Sequence, residues 1–218
     1  MKVVVVASGE LDGDDVSWLD GADLVIGANG GAASLDRLGR RVDVLVGDLD
    51  SIDGSLVGRL SAAGTRVERH SADKDASDTE LAIEAAIAAG ADEVLLLGAT
   101  GGDRLDHQLA SLLLLADPAL AGIDARVVRG PTKVRALHAG GRRELDGRAG
   151  DLVTLLPVGG DVTGVTTERL QWPLASATLR MGRSRGLSNV VVAEPASIRI
   201  ESGTLLIFET ASQRRESA

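Results

Sequence analysis

The sequence has no cysteine and only three lysines, and its basic side chains are outnumbered by acidic ones. Without cysteine, disulfide bonds, thiolate nucleophiles and cysteine-ligated zinc are excluded. The 32 acidic and 23 basic side chains give a net charge of −9. A nucleic-acid or anionic-membrane partner is therefore not expected, because phosphate backbones attract basic surfaces. A small anionic ligand could still bind where glycines and a cation receive it.

Long hydrophobic segments are also missing from the chain. The apolar run 112–116 is far too short to span a membrane. Residues 1–7 are too short for the core of a signal peptide and predict a first strand, so we expect a cytoplasmic location. The composition, 44% hydrophobic and 25% charged over 218 residues, is that of a globular protein with one large domain or two small ones.

The first 130 residues alternate short apolar runs with helix-like segments, which predicts an α/β fold with a mostly parallel, Rossmann-like sheet. The strands are predicted at 2–7, 24–28, 42–46, 66–70, 93–97 and 125–129. The helices are predicted at 32–38, 55–63, 78–89 and 104–116. Ser77 and Glu80 form a capping box that starts the third helix. The fourth helix carries an apolar stripe that contains Leu105, Leu109, Leu112 and Leu113.

After about Gly130 the pattern changes to short strands separated by turn residues, which predicts a small all-β sandwich. These strands are predicted at 133–137, 151–156, 161–165, 177–180, 189–192, 197–200 and 204–208. The glycine pair 159–160 is one of the predicted turns. We therefore assign residues 1–130 to an α/β domain, 131–212 to a β-sandwich and 213–218 to a polar tail.

Two clusters of carboxylates lie in loops of the predicted α/β domain. Asp48 and Asp50 follow a strand and a glycine, and the second cluster contains Asp73, Asp75 and Asp78. Carboxylates at this density repel each other unless a cation or a polar partner lies between them. Mg²⁺ takes oxygen ligands and usually keeps substrate phosphates in its shell, so the clusters predict a site for a metal-bound nucleotide. The alternative is that these aspartates cap turns and helices.

Glycine-rich loops follow three of the predicted strands. They contain Asn29, Gly30 and Gly31 after strand 24–28, Gly47 after strand 42–46, and Gly101 and Gly102 after strand 93–97. Because ligands bind beyond the carboxyl ends of strands in open α/β sheets, the loops should converge in one crevice. Their backbone amides could face phosphate, although paired glycines are commonly simple turns. A Walker A pattern and a G-x-G-x-x-G fingerprint are absent, so an ordinary dinucleotide site is not expected.

Asp106 and Arg104 begin the helix that follows the third glycine loop. Asp106 could orient or deprotonate a hydroxyl nucleophile, and Arg104 could stabilise phosphate charge. The alternative is a surface ion pair that contributes little. In the second half, Trp172 is expected in the sandwich core, although an exposed indole could stack on a cationic heteroaromatic ring.

These motifs occur together in the order and spacing of a known family. Residues 47–52 (Gly-Asp-Leu-Asp-Ser-Ile), 73–78 (Asp-Lys-Asp-Ala-Ser-Asp) and 98–107 resemble the thiamine pyrophosphokinase family. Residues 163–167, 172–174 and 186–189 resemble its thiamine-binding domain. The resemblance implies an enzyme that transfers pyrophosphate from Mg²⁺-bound ATP to the hydroxyl of thiamine, leaving AMP. It also implies a homodimer with the thiamine site between subunits.

Carried over by position, the resemblance assigns roles to individual residues. Asp48, Asp50 and Asp78 would hold magnesium. Asp106 would lie at the thiamine hydroxyl and Arg104 near the phosphates, while Trp172, Ser188 and Asn189 would contact thiamine. The expected nucleotide-binding residues are Asn29, Gly30, Gly31, Ser51, Lys74, Asp75, Ser77, Thr100, Gly101 and Gly102. The family usually has aspartate at the position of Asn29, which leaves open another heterocyclic alcohol as acceptor. A nucleotide- or thiamine-sensing module without turnover is a further alternative.

Overall fold

A computed structural model describes residues 1–11, 13–50, 52–71, 73 and 75–212. They divide into two compact units, the first containing Met1–Leu114 and Gly122–Gly130, and the second containing Leu115–Ala121 and the residues described from Pro131 onward. The assignment of 1–130 and 131–212 as separate domains stays a prediction, and the expected polar tail 213–218 lies outside the described residues. None of the helices in these ranges is both long and apolar enough to cross a membrane.

The first unit is a parallel sheet flanked by helices. Its strands are β1 (Lys2–Val6), β2 (Leu24–Ala28), β3 (Val44–Gly47), β4 (Arg66–Arg69), β5 (Glu93–Leu97) and β6 (Asp124–Arg129). Its helices are α1 (Gly30–Arg37), α2 (Gly54–Ala62), α3 (Asp78–Ala88) and α4 (Leu105–Leu114), and a 3-10 helix covers Gly13–Leu19. The strand order β4-β3-β2-β1-β5-β6, with every neighbouring pair parallel, confirms the predicted α/β fold.

The centre of this sheet is β1, which is apolar on both faces because helices cover it. Val4 pairs with Val25 of β2 and with Leu95 of β5, and all three side chains are buried. Burial of one such side chain stabilises the fold by roughly 1.5–3 kcal/mol. Helices α1 and α3 both pack against β1 and β2. Because β1 pairs in parallel with β2 and with β5, the loops that follow these three strands leave the sheet side by side.

Helix α4 exposes most of its apolar stripe. Leu105, Leu109 and Leu113 are 76%, 56% and 42% exposed, whereas Ser111 is buried on another side of the helix. An apolar stripe in the sequence therefore does not by itself identify the buried face of this helix.

The second unit is rich in antiparallel strands. They are β7 (Thr132–His138), β8 (Arg142–Glu144), β9 (Leu152–Glu168), β10 (Ala177–Leu179), β11 (Asn189–Val190), β12 (Ser197–Arg199) and β13 (Ser202–Thr210). A 3-10 helix at Pro118–Leu120 belongs to the same unit. The core contains Val153, Val162, Ile198 and Leu205, which are fully buried. The β-rich second half is therefore as predicted.

Strand β9 corrects one detail of the prediction. It is continuous over 17 residues, where the sequence predicts two strands separated by a turn at Gly159 and Gly160. Thr204 of β13 pairs with Val158, but Ser202 pairs with Thr163, so the register shifts beside the glycine pair. The glycines, with φ of 74° and 157°, thus accommodate an irregularity within one strand and do not reverse the chain.

Candidate active site

The carboxyl ends of β1, β2 and β5 open onto a cavity of about 450 Å³ in the first unit. The strand order reverses direction at β1, which has β2 on one side and β5 on the other. Ligands of open α/β sheets bind at such a switch point. The lining includes Ser8, Gly9, Glu10, Asn29, Ser77, Asp78, Gly101, Gly102, Arg104 and His107. Two of the three loops expected to form the crevice, those after β2 and β5, therefore line a cavity with the size of a small-molecule site, whereas Gly47 and Asp48 after β3 are not among its lining residues.

The loop that follows β1 is a wall of this cavity that the sequence analysis missed. The Gly9 amide donates to the Gly98 carbonyl at 2.9 Å, which joins this loop to the one after β5. A β-carbon at Gly9 would lie 2.3 Å from the same carbonyl oxygen, so a larger residue would separate the loops. Gly9 follows an apolar strand just as Gly30 and Gly47 do, and that position was the available signal.

Two of the predicted metal ligands meet at a shared partner. The Asn29 amide nitrogen Nδ2 donates to Asp48 Oδ1 at 3.1 Å and to Asp78 Oδ2 at 2.8 Å. Gly47 allows this approach, since a β-carbon there would lie 3.1 Å from Asp78 Oδ1. Carboxylates from β3 and α3 are thus brought together around one amide at the end of β2.

Asp50 does not join this group through its side chain. It is exposed, and its backbone amide donates to Asp48 Oδ1 at 3.1 Å. Within the described parts of the chain, no three His, Asp or Glu side chains are gathered closely enough to hold a metal. The oxygens of Asp48 and Asp78 are nevertheless the hard ligands that Mg²⁺ prefers, and they converge on one point. The residue types therefore fit magnesium, and the three-aspartate ligand set stays a prediction.

Arg104 and Asp106 form a two-pronged ion pair at the mouth of the cavity. Arg104 Nε donates to Asp106 Oδ1 at 2.9 Å, and its NH2 group donates to Oδ2 at 2.7 Å. These hydrogen bonds hold the pKa of Asp106 well below its usual range. Both side chains are mostly exposed, so the pair contributes little to stability and remains accessible to a ligand.

The predicted nucleotide-binding residues fall into three groups. Asn29, Ser77, Gly101 and Gly102 line the cavity. Gly30 and Gly31 form the first turn of α1, Thr100 lies in the loop before α4, and Asp75 is exposed before α3. Ser51 and Lys74 lie outside the described residues. Ser77 also caps α3, because its Oγ accepts from the Glu80 amide at 3.1 Å, which confirms the predicted cap.

Two of the three predicted thiamine residues, Trp172 and Asn189, line a smaller pocket in the second unit. Its volume is about 250 Å³, and Trp172, Leu174, Leu187 and Asn189 are among its lining residues. Trp172 is 57% exposed, so the expectation that it is buried in the core is wrong. Trp172 lies in a bend two residues beyond the isolated bridge between Leu170 and Val191, and not within a strand, which explains the difference.

The side chain of Asn189 holds the backbone of Trp172 in place. Its Nδ2 donates to the Trp172 carbonyl at 2.7 Å, and its Oδ1 accepts from the Trp172 amide at 3.0 Å. Ser188 is exposed beside it, with its backbone amide donating to Thr154 Oγ1 at 3.0 Å. The pocket thus combines an accessible indole with a buried amide that fixes the indole's backbone.

Comparison with known proteins identifies the family of both halves of the chain. The family model for the thiamin pyrophosphokinase catalytic domain matches residues 17–126, and that for the vitamin B1 binding domain of the same enzyme matches residues 142–205. The thiamine pyrophosphokinase of Bacillus subtilis (strain 168) is 24% identical over 213 residues, which cover 96% of this chain and 99% of that protein.

Solved structures show the same fold over the full length. A crystal structure of thiamine pyrophosphokinase from Bacillus subtilis has a TM-score of 0.86 at 23% identity, covering 98% of this chain and 100% of that one. The thiamin pyrophosphokinase from Geobacillus thermodenitrificans has a TM-score of 0.81 at 26% identity, with coverages of 98% and 99%. With the catalytic-domain match spanning half the sequence and the vitamin-binding match following it, the chain belongs to the thiamin pyrophosphokinase family.

Proposed function

We propose that this chain, a transferase by its family, moves the terminal pyrophosphoryl group of Mg²⁺-bound ATP to the hydroxyl of thiamine. The products would be thiamine diphosphate and AMP. The observation that carries the proposal is the cavity at the switch point of the sheet, which is lined by Asn29, Asp78, a glycine-rich loop and Arg104, with Asp48 hydrogen-bonded to Asn29. The chain matches both the catalytic and the vitamin-binding domain models of the family, and this supports the proposed activity.

The first unit would bind the nucleotide. Backbone amides of the loops after β2 and β5 would face the phosphates, and Arg104 would bring a positive charge to the cavity mouth. Asp48 and Asp78, with Asp50 recruited from the exposed loop, would hold magnesium. The metal would neutralise triphosphate charge, which an acidic protein cannot do by its net charge.

Asp106 would orient the acceptor hydroxyl. In the reaction the hydroxyl oxygen forms a bond to the β-phosphorus, the bond from that phosphorus to the α-bridging oxygen breaks, and AMP leaves while the hydroxyl proton is released. Because Arg104 holds the pKa of Asp106 low, the carboxylate is a weak base. Its contribution would therefore be to accept a hydrogen bond from the hydroxyl and align it with the phosphorus.

The second unit would bind the vitamin. Thiamine carries a cationic ring, and the exposed indole of Trp172 offers it a flat surface for stacking. Asn189 would hold that indole in place through the Trp172 backbone, and Ser188 would lie beside it. The homodimer, with thiamine between subunits, and the cytoplasmic location are part of this proposal.

A product assay tests the proposal. Purified chain incubated with Mg²⁺, ATP and thiamine should yield AMP and thiamine diphosphate in equal amounts. Formation of ADP, or AMP formation that does not depend on thiamine, would overturn the proposal. As a control, Asp106→Asn should reduce turnover by about 100-fold or more while nucleotide binding is retained, because only the orientation of the hydroxyl is lost.

The two alternatives can be tested in the same assay. Faster AMP release with another heterocyclic alcohol would reassign the acceptor, and ligand binding without turnover would indicate a sensor. The matched family models and the relatives compared above all carry thiamine pyrophosphokinase names, which does not favour either alternative.

A further inference from the structure

Asn29 occupies the N-cap of α1 but does not cap the helix. An asparagine at this position ordinarily accepts a hydrogen bond from the backbone of the first turn through its side-chain oxygen. Here no such bond exists, although every residue of this first turn is described. The side chain has been turned away from the helix that it precedes.

The same side chain is directed instead at two carboxylates. Its Nδ2 lies 3.1 Å from Asp48 Oδ1 and 2.8 Å from Asp78 Oδ2, so the two N–H bonds of one amide group serve two negative charges. Hydrogen bonds to charged acceptors are about twice as strong as neutral ones. This arrangement replaces a helix cap with two charge-assisted bonds.

The backbone holds Asn29 in this position. Its amide donates to the Val46 carbonyl at 2.8 Å, its carbonyl accepts from Ala32 at 3.0 Å, and its φ is 46°. Its ψ of −118° places it outside the left-handed helical region, so the backbone is strained for asparagine and aspartate alike and is held by the surrounding contacts. The residue is only 8% exposed, so water cannot readily replace its amide between the carboxylates. The geometry is therefore a built feature of the β2–α1 junction.

We propose that Asn29 is a positioning residue that takes, in the metal-free protein, the place between Asp48 and Asp78 that a cation would take. The carboxylates are then held together before a metal-bound nucleotide arrives, at the expense of metal affinity, because amide and cation compete for the same oxygens. This inference rests on the proposed magnesium site. It adds that Asn29 stabilises the two neighbouring carboxylates whenever no cation is bound between them.

The test is the magnesium dependence of stability, measured without ATP or thiamine. In Asn29→Asp the shape and the backbone conformation are kept, but two donors become a third carboxylate. At pH 7.5 without magnesium, the variant should melt about 3–10 °C below the unmodified protein, because three charges then face each other. Saturating magnesium should raise its melting temperature more than that of the unmodified protein. The magnesium concentration that gives half of this rise should be about tenfold lower for the variant than for the unmodified protein, because the affinity of the site increases with the number of charged ligands.

Asn189→Asp provides the matched control. Asn189 is also 8% exposed and also donates through Nδ2, but to the Trp172 carbonyl in the second unit. This variant should lose stability equally with and without magnesium. The inference is overturned if Asn29→Asp melts at the unmodified temperature without magnesium, or if its magnesium response equals that of the unmodified protein. Because no turnover is measured, these outcomes do not depend on which acceptor the enzyme uses, and the product assay tests the activity separately.

Discussion

At the scale of single residues, the structure changes the expected chemistry of Asp106. The sequence leaves open whether this carboxylate orients a hydroxyl or removes its proton. Arg104 donates to both of its oxygens, and the resulting low pKa favours the orienting role. Arg104 was also expected to contact the phosphates. When the nucleotide is bound, its guanidinium would therefore have to donate both to Asp106 and to a phosphate.

The influence of Arg104 on Asp106 can be measured directly. In Arg104→Ala the hydrogen bonds are lost, so the pKa of Asp106 should rise toward the ordinary value of about 3.9. If activity falls at low pH because Asp106 becomes protonated, this fall should therefore occur at a higher pH in Arg104→Ala than in the unmodified protein. A titration of the Asp106 carboxyl carbon by NMR provides the readout, with Arg37→Ala as control, since Arg37 bonds Ser34. An unchanged titration in Arg104→Ala would contradict this account.

At the scale of elements, the junction between β1 and α1 determines how closely the helix approaches the sheet. A β-carbon on Gly31 would lie 1.9 Å from the Val6 carbonyl oxygen, which belongs to β1. The helix can therefore start at the carboxyl edge of the sheet only because this residue has no side chain. The same closeness brings the N-terminus of α1 to the candidate nucleotide loops.

Two glycine-to-alanine variants separate this packing effect from helix propensity. Gly31→Ala should destabilise the protein by about 1–3 kcal/mol, because backbone must move to relieve the contact. Gly58→Ala, in the exposed interior of α2 with nothing within 4 Å of the added carbon, should stabilise it by about 0.5–1 kcal/mol. Urea unfolding followed by circular dichroism checks both. Equal effects in the two helices would show that the β1–α1 contact is not tight.

Local sequence patterns predicted most of the helices and strands, but not all of the contacts that these elements make. Strands β2 and β5 have their predicted limits, since continuous apolar runs bounded by polar residues mark buried parallel strands. The continuity of β9 and the exposure of the α4 stripe depend on partners distant in the sequence, about which residue spacing carries no information. The aspartates and the glycine loops could be located from the sequence because they directly follow predicted strands. The use of Asn29 as a bridge required the fold, because Asp48 and Asp78 are 19 and 49 residues away.

At the scale of the whole molecule, charge is distributed differently in the two units. The first unit concentrates carboxylates around its cavity. The second contains a buried pair, in which Arg135 NH1 lies 3.2 Å from Glu209 Oε1 while its NH2 lies 2.8 Å from Asp146 Oδ2. Burial raises the pKa of Glu209. Burial also acts to raise the pKa of Asp146, but Arg135 and Lys133 outweigh it and lower the value to about 2.

This network predicts how acid affects stability. Because the folded pKa of Asp146 is below its unfolded value of about 3.9, its contribution is present above pH 4 and is lost as the pH falls toward 2. Asp146→Asn should cost about 1 kcal/mol at pH 7, a figure reduced for its 41% exposure, and progressively less as the pH falls through 2. Unfolding at several pH values tests this, with the exposed Glu144→Gln as control. A cost that is constant with pH would contradict the prediction.

The scarcity of aromatic residues has a practical consequence for spectroscopy. The chain has two tryptophans and no tyrosine, and each unit contains one indole. Trp18 packs against the core of the first unit, whereas Trp172 is exposed beside the candidate thiamine pocket. Substituting Trp18 by phenylalanine would leave a single emitter at that pocket. The natural sequence thus carries an intrinsic fluorophore whose quenching or spectral shift reports events at the vitamin site without any attached dye.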